Sequence, residues 1–448
     1  MSRPASAAAL CLLPAVVVAQ PVAFEGVNLV AVDPPGVHAD LTVLVRDGRI
    51  ASIGATGDVR IPEGARRVRG RGRYLMPGLI EMHVHLREAR LLGLYLAHGF
   101  TTVRDMNGRL GDTLAWRDEV ARGERPGPRI VAAGVTLYAG APEDHPYPVD
   151  TAEQARAAVR AMAVRGYDLV KVYRLKREPF RALMAEAHAR GLPVAGHHPD
   201  TVHDQDYEAP LDIPNDEVVA SGMVSLEHLD ELIVAGLRMK PDDAALASLA
   251  RTLRAHDVAV TTLLGQDFAV QEIRRLGQAW LTPERKADVR RWNGTAGIEA
   301  ARRQIDFIES ELPQDIADLG RFIPDFSLKM LRTFHEAGVT LVVGTDSHGA
   351  VVVGGRSGLG EMDIFVRAGL RPADAIRAAT VHAARVLGME GRLGSVVVGA
   401  DADLLLLGEN PLEDLGALRR PEAVMSRGVL YDREAIAGLL AAAAAPDP

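Results

Sequence analysis

Short apolar segments alternate with longer segments of helical spacing through the middle of this 448-residue chain. The apolar segments have the length of buried β-strands, and the Ala-, Arg- and Glu-rich segments between them favour helices. Strand–helix repetition predicts an α/β fold with a parallel sheet, and eight repeats are the number that closes a TIM-type (β/α)8 barrel. An open doubly wound sheet is the alternative. The eight apolar segments are 79–85, 101–105, 129–137, 168–173, 193–197, 223–228, 258–264 and 339–346.

Both ends of the chain carry a different pattern, made of short strand-like runs separated by turn residues. Asp47-Gly48 lies between two such runs and predicts a β-hairpin. A similar stretch returns after residue 392, so we expect strands from both ends to form one small β-sandwich domain. The predicted domains are 21–75 and 393–448 for this sandwich, and 76–392 for the barrel.

Local signals define one helix and one insertion. Thr151 with Glu153 and Gln154 can cap a helix start, and Gly166 can end that helix. The polar, Arg-rich stretch from about 266 to 323 is helix-prone. It follows the seventh predicted strand and would lie on the catalytic face of a barrel.

The first twenty residues are typical of a secretory signal peptide, because an Arg precedes an apolar run and a small-residue cleavage signal. We therefore expect an exported protein, periplasmic or secreted; a cytoplasmic protein with an N-terminal extension is the alternative. No later run reaches the roughly 18 apolar residues that a transmembrane helix needs.

Composition narrows the chemistry. The 51 basic and 59 acidic residues give a net charge of −8 with no basic tract, which argues against a nucleic-acid partner. The single cysteine, Cys11, can build neither an intrachain disulfide nor a thiolate metal site. Any metal must therefore be bound mainly by His and carboxylate side chains.

Ionisable residues recur where the apolar segments end, which is where barrel enzymes carry their chemistry. His83 and His85 are two apart on a strand, so both imidazoles point to one side. Each of these residues has an ordinary structural explanation alone, but five strand ends with suitable ligands predict a common metal site. The candidates are His83, His85, Lys171, His197, His228 and Asp346.

Lys171 is unusual because it lies between two valines in the fourth predicted strand. It could reach the rim or pair with Asp168. Alternatively, burial lowers its pKa and leaves a neutral amine that can add carbon dioxide, which gives an anionic carbamate ligand.

These motifs resemble the amidohydrolase superfamily, specifically its binuclear members with a carboxylated lysine. The resemblance covers almost the whole mature chain, and the chain is most similar to the Xaa-Pro dipeptidase and imidazolonepropionase-like group. Imidazolonepropionases lack the bridging lysine, so Lys171 favours the peptidase-like side. The matching motifs are MPGLIEMHVHL, HGFTTVRDM, DLVKVY, GLPVAGH, GTDS, AATVHAARVLG and LGSVVVGADADLLLL.

The resemblance implies two divalent metal ions, with zinc expected although manganese, cobalt and iron suit such ligands. It implies that His83, His85 and Asp346 bind one ion and that His197 and His228 bind the other. It also implies that carboxylated Lys171 bridges the two ions. His197 follows PVAG as the family ligand does; a shift of one residue would exchange it for His198.

The implied reaction is hydrolysis of an amide bond in a small N-acyl amino acid or Xaa-Pro-like dipeptide, by a hydroxide that bridges the metals. In this reaction Asp346 is expected to serve as general base and acid. The alternatives are a lactonase, a ring-opening hydrolase or a deaminase with the same site, and a non-catalytic barrel. Tyr173 and His145 are candidate substrate contacts. The sequence allows a homo-oligomer without specifying one.

Overall fold

The computed structural model describes residues 20–108, 111–142, 144–200, 211–310, 318, 320, 322, 324–347 and 352–444. The predicted signal peptide therefore lies outside the described residues, except for Gln20. Among the described helices, none is long and apolar enough to cross a membrane.

The described strands fall into an N-terminal group, a central group and a C-terminal group. The N-terminal strands are β1 Val22–Val32, β2 Pro35–Arg46, β3 Arg49–Ala55, β4 Arg66–Arg69 and β5 Tyr74–Pro77. The central strands are β6 Leu79–Val84, β7 Phe100–Asp105, β8 Arg129–Ala132, β9 Val170–Val172, β10 Val194–Gly196, β11 Ser225–Glu227, β12 Ala259–Thr261 and β13 Leu341–Val342. The C-terminal strands are β14 Leu404–Leu407, β15 Ala423–Ser426 and β16 Val429–Asp432.

Helices separate the central strands and close the chain. Those up to the seventh central strand are α1 Leu92–Ala97, α2 Asp112–Ala121, α3 Ala152–Arg165, α4 Arg177–Ala189, α5 Asn215–Ala220 and α6 Asp243–Ala255. The later ones are α7 Leu264–Leu276, α8 Pro283–Ser310, α9 Asp325–Glu336, α10 Arg356–Arg367, α11 Pro372–Ala378, α12 Val381–Val386 and α13 Arg433–Ala443.

All eight predicted central strands are present, and every pair among them is parallel. They form a three-stranded sheet, β6-β7-β8, and a five-stranded sheet, β9 to β13 in chain order. Backbone contacts connect the two sheets at both edges. At one edge, Met82 N on β6 donates to Val343 O, just beyond β13, at 2.8 Å. At the other edge, Leu137, beyond β8, forms a parallel β-bridge with Val172 on β9. Neighbouring strands follow chain order, without the reversal that a doubly wound sheet requires.

Strands from both chain ends join one mixed sheet, as the sequence predicts. Its order is β16-β15-β14-β5-β1-β2-β3, with β4 beside β1. The predicted hairpin connects β2 to β3 through Asp47 (φ 53°) and Gly48 (φ 72°), since left-handed conformations at both central residues suit a tight hairpin turn. The prediction of a two-layer sandwich is not met. Hydrogen bonds connect all eight strands into one sheet, with bulges in β1.

Strand β14 explains how this sheet packs against the rest of the protein. Leu404 and Leu406 lie in the apolar core of the mixed sheet, whereas Leu405 and Leu407 lie in the large core that includes the central strands. Successive side chains of a strand point to opposite faces, so an all-leucine strand buries both faces.

The capping prediction for α3 is confirmed. The hydroxyl of Thr151 accepts from Gln154 N, the Gln154 side chain accepts from Thr151 N, and Gly166 ends the helix with φ 81°. The described part of the predicted insertion up to residue 310 is also helical, with α7 and the long α8, which kinks at Gly294 (φ 67°).

Candidate metal centre

The carboxyl ends of the central strands bring the predicted ligands together. His83 lies on β6, Lys171 on β9, and His197 and His228 directly follow β10 and β11. Asp346 lies beyond β13, where Asp346 N donates to His83 O at 2.9 Å. Parallel strands expose these ends at one edge, so residues up to 263 positions apart in the sequence share one site.

His83, His228 and Asp346 form the centre of the cluster. Each of them offers one ligand atom, and these three atoms lie within 4.8 Å of one another. His83 Nε2 lies 3.4 Å from Asp346 Oδ1, and His85 Nε2 contacts the same carboxylate oxygen. The arrangement presents imidazole nitrogens and a carboxylate around one point, which is the donor set that divalent transition metals prefer.

Lys171 is buried within this cluster. Its side chain does not reach the rim, since the residue is 3% exposed and Nζ lies 3.2 Å from His83 Nε2. Asp168, the alternative partner, instead contacts Arg117 at 3.2 Å. Burial lowers the pKa of Lys171 to about 8, because a charged ammonium loses hydration in this position.

His197 joins the cluster and His198 does not. The ring of His197 lies 4.4 Å from the ring of His228. Its buried Nδ1 lies 3.6 Å from Glu231 Oε1 and makes no hydrogen bond with the described residues. His198 Nδ1 instead accepts a hydrogen bond from Asp200 N at 3.2 Å. His198 Nε2 is likewise buried without a hydrogen-bond partner among the described residues, so the contact with the ring of His228 is what makes His197 the fitting metal ligand.

The electrostatics favour the protonation states that metal ligands need. Burial lowers the pKa of His197 and of His228 well below the ordinary value, which keeps both imidazoles neutral. Burial opposes ionisation of Asp346, but the contacts with His85 and His83 outweigh it and hold the pKa of Asp346 well below its usual range. Neutral imidazoles and an ionised carboxylate are the forms that bind metal ions.

A buried ion pair supports His83 from behind. Glu227 Oε2 lies 2.8 Å from His83 Nδ1, and Glu227 Oε1 accepts from Arg104 at 2.7 Å. Arg104 is 1% exposed and also donates from Nε to Met82 O at 2.6 Å. A carboxylate on the second nitrogen of a metal-binding histidine fixes its tautomer and orientation.

Arg104 and Glu227 were not predicted from the sequence, although both carry the signal that identified Lys171. Each is a charged residue inside an apolar strand, in TTVRD and VSLEH. Neither residue suggests its partner, because 122 other positions separate the two. The pairing becomes visible only when β7 and β11 enclose the same interior.

Two of the ligand candidates adopt backbone conformations that non-glycine residues rarely use. His228 has φ 67° and Asp346 has φ 53°. Such conformations cost on the order of 1–3 kcal/mol each and cluster at functional sites. The surrounding structure therefore holds both side chains in positions that an ordinary strand end would not give.

The two predicted substrate contacts lie in different settings. The ring of Tyr173 lies 4.4 Å from the ring of His197, beside the cluster. The ring nitrogens of His145 lie 3.0 Å from Tyr147 O and 3.1 Å from Thr136 O, so His145 ties its loop together. Tyr173 is the better placed of the two to meet a bound molecule.

Comparison with known proteins agrees with this site. The model of the amidohydrolase family matches residues 74–430, which is most of the chain. The imidazolonepropionase of Ralstonia nicotianae is 28% identical over 401 residues, covering 84% of this chain and 88% of that protein. The ochratoxinase of Aspergillus niger is 37% identical over 103 residues, but the match spans only 21% of that protein and 23% of this chain.

Solved structures extend the similarity to the fold. A protein from Bifidobacterium longum assigned as a prolidase is 26% identical, with a TM-score of 0.70, covering 95% of this chain and 99% of that one. A bottromycin amidohydrolase is 27% identical with a TM-score of 0.68, covering 94% of this chain and 90% of that one. Such neighbours imply a TIM-barrel fold with a mixed-sheet domain.

Proposed function

Because this chain belongs to the amidohydrolase family, whose named relatives are hydrolases of C–N bonds, we propose that it hydrolyses the amide bond of a small N-acyl amino acid or Xaa-Pro-like dipeptide. The observation that carries the proposal is the convergence of His83, His228 and Asp346 within 4.8 Å, beside the buried amine of Lys171. Similarity to the B. longum protein assigned as a prolidase favours the dipeptide-like substrates.

The residues fit a pair of divalent ions, with zinc the expected metal. His83, His85 and Asp346 would bind the first ion, and His197 and His228 the second. The Nδ1 of His197, which makes no hydrogen bond with the described residues, supports this assignment, since a metal ion would bind this buried nitrogen. Bound metal ions would polarise the scissile carbonyl and lower the pKa of a water molecule.

Lys171 would bridge the ions as a carbamate. Its neutral amine would attack carbon dioxide, form the N–C bond and release one proton. Left as an ammonium about 4 Å from a divalent ion, it would be repelled by roughly 8 kcal/mol at an effective dielectric constant of about 20. The lowered pKa of Lys171, caused by burial, supports the neutral amine that this reaction needs.

The protein's own residues would handle the protons. Asp346, held ionised, would accept a proton from the attacking water and deliver it to the departing nitrogen. Glu227 would hold the Nδ1 proton of His83, so that Nε2 faces the site with its lone pair. Tyr173, beside His197, would contact the substrate.

The finer architecture belongs to the same proposal. We propose that the two parallel sheets together form a closed (β/α)8 barrel at 76–392, completed by a domain built from 21–75 and 393–448. The contacts that Met82 and Leu137 make between the sheets support closure. Residues 1–20 would direct export.

Hydrolysis of a substrate panel tests the proposed function. The panel contains N-acetyl amino acids, Xaa-Pro dipeptides, lactones and cyclic amides, with the protein loaded with zinc in bicarbonate buffer. We expect turnover of the N-acetyl amino acids or dipeptides, its loss with 1,10-phenanthroline, and its recovery on adding zinc. Turnover of lactones or cyclic amides alone would favour the alternative reactions, and chelator-insensitive turnover would contradict the metal mechanism.

A further inference from the structure

A small cavity of about 130 Å³ adjoins the candidate metal centre beside His85. Ser347, which directly follows Asp346, also lines it. The cavity therefore lies within reach of a bond held at the centre. Most of its wall is apolar, made by Leu91, Leu94, Tyr95, Trp292, Val352 and Val353. We call this cavity the Trp292 pocket.

The insertion after β12 supplies one wall of the pocket and holds it in place. Helix α8 kinks at Gly294, and Trp292 precedes the kink. Arg90 Nη2 donates to Trp292 O at 2.7 Å, and Trp292 Nε1 donates to Asp288 Oδ1 at 3.2 Å. With 5% of its surface exposed, Trp292 is a fixed wall rather than a mobile surface side chain.

Tyr95, Ser347 and Glu88 are polar lining residues that have hydrogen-bond partners. The Tyr95 hydroxyl lies 2.9 Å from Ser347 Oγ, and Glu88 Oε2 accepts from Arg90 Nε at 2.7 Å. The charged lining residues Arg87 and Glu88 have opposite signs. Both are exposed, so a carboxylate or an ammonium group placed among the apolar side chains of the wall would lose its hydration, which is unfavourable.

The volume sets the size of the group that fits. Pockets for whole ligands measure roughly 300–1,000 Å³, so this cavity would accept only part of a molecule. A cavity of about 150 Å³ lined by aliphatic and aromatic side chains holds benzene. A leucine side chain or a small ring fits this volume, whereas an indole ring does not.

We propose that the Trp292 pocket selects substrates with a medium-sized apolar side chain next to the scissile bond. This inference rests on the proposed function and adds its substrate class. Trp292 and Val353 are the residues that set the preference, because they form apolar parts of the wall without being candidate metal ligands. Glycine-like substrates would leave the pocket empty, and acidic or indole-bearing substrates would be rejected.

Two matched series of amides test the proposal through kcat/KM. The first series varies the acyl side, with Gly-Pro, Leu-Pro, Trp-Pro and Glu-Pro. The second varies the amine side, with N-acetyl-Gly, N-acetyl-Leu, N-acetyl-Trp and N-acetyl-Glu. In one of the series we expect the leucine compound to exceed the other three by at least about tenfold, as filling an apolar pocket typically gives.

Substitutions then change the ranking in opposite directions. Trp292→Ala enlarges the pocket. It should raise kcat/KM for the tryptophan compound, relative to that for the leucine compound, by at least about tenfold. Val353→Phe fills the pocket. It should lower kcat/KM for the leucine compound about tenfold and change kcat/KM for the glycine compound little. Trp280→Ala is the control, because Trp280 lies in the same insertion but outside this pocket and should leave the ranking unchanged.

Two results would overturn the proposal: equal kcat/KM across both wild-type series, or variants that scale all compounds alike. Val353→Phe keeps the test available if Trp292→Ala does not fold. If the wild type hydrolyses none of the compounds, the proposed function fails. Titration calorimetry on the zinc-loaded protein then tests separately whether the pocket prefers leucine compounds. Tighter binding of a leucine compound that Val353→Phe abolishes would support the pocket, and equal or absent binding would refute it.

Discussion

At the scale of single residues, Glu227 has the clearest supporting role. Its carboxylate joins His83 Nδ1 to the guanidinium of Arg104 inside the protein. Glu227→Gln keeps the shape but removes the charge, so His83 can adopt the wrong tautomer. We expect kcat and metal affinity to fall about 10–100-fold, the usual effect of losing such a carboxylate. Steady-state kinetics and competition with a chelating dye measure both quantities.

The matched control is Glu217→Gln. Glu217 is a partly buried carboxylate that contacts Arg177 and Arg181. This control should leave kcat and metal affinity unchanged. Wild-type kinetics in Glu227→Gln would show that His83 needs no orienting partner.

Glu361 gives a pH prediction that is independent of the candidate ligands. Burial raises its pKa from 4.5 to about 7, although Leu264 N and Gly265 N donate to it at 3.0 and 2.7 Å. The folded protein binds this proton more tightly than the unfolded chain. The resulting stability is complete below about pH 4.5 and is lost as the pH rises through about 7.

Glu361→Gln should therefore flatten the pH dependence of unfolding. The stability that the wild type loses between pH 5 and pH 8 should shrink by up to about 3 kcal/mol in the variant. Urea denaturation with a chelator present measures this, since metal release then contributes nothing. Identical slopes in both proteins would mean that Glu361 is ionised throughout.

At the scale of elements, close backbone packing between strands positions the site. A Cβ placed on Gly344 would lie 2.5 Å from Thr261 Cγ2 and 2.7 Å from His83 Cβ. Gly344→Ala should displace His83 and therefore lower metal affinity. Overpacking should also lower the free energy of unfolding by about 1–3 kcal/mol. Thermal unfolding and metal titration measure the two effects.

Gly360→Ala is the control for this substitution. Gly360 lies in α10, and a Cβ placed on it would have no neighbouring atom within 4 Å among the described residues. Alanine there should be neutral or stabilise the helix by up to about 1 kcal/mol. Equal effects of the two substitutions would show that the contact between Gly344 and His83 is unimportant.

Elements with strong local signals could be predicted from the sequence. The eight central strands, the capped helix α3 and the hairpin at Asp47-Gly48 are all present, because apolar periodicity, capping and turn chemistry act over a few residues. The kink of α8 at Gly294 could not be predicted. A glycine within a helix-like sequence indicates only a position of low helix propensity. The contact between Arg90 and Trp292 joins segments about 200 residues apart, which local patterns do not reveal.

The candidate ligands were also accessible to sequence reasoning, because each ionisable residue interrupts an apolar strand end. The structure brings His83, Lys171, His197, His228 and Asp346 to one place. The Arg104–Glu227 pair was not accessible, since pairing inside the sheet depends on tertiary register. The same reason explains why one mixed sheet replaces the expected sandwich: local patterns define strands but not which edges join.

At the scale of the whole molecule, strand β14 links the mixed sheet to the central strands. Leu405 is 1% exposed in the large core, while its neighbour Leu404 lies in the core of the mixed sheet. Leu405→Ala should lower the free energy of unfolding by about 2–5 kcal/mol. The protein should still unfold in one transition, at a lower temperature. Differential scanning calorimetry tests this against Val398→Ala, whose side chain is 62% exposed and should change little. Two separate transitions, with only one shifted, would show that the sheets unfold independently.

The metal content of the folded chain tests the central claim most directly. Elemental analysis after zinc loading in bicarbonate should give two zinc ions per chain for the wild type. Lys171→Ala should bind at most one and regain the second when short carboxylic acids replace the missing carbamate. Fewer than two ions in the wild type, or two tightly bound ions in Lys171→Ala without added acid, would contradict a binuclear centre bridged by this lysine.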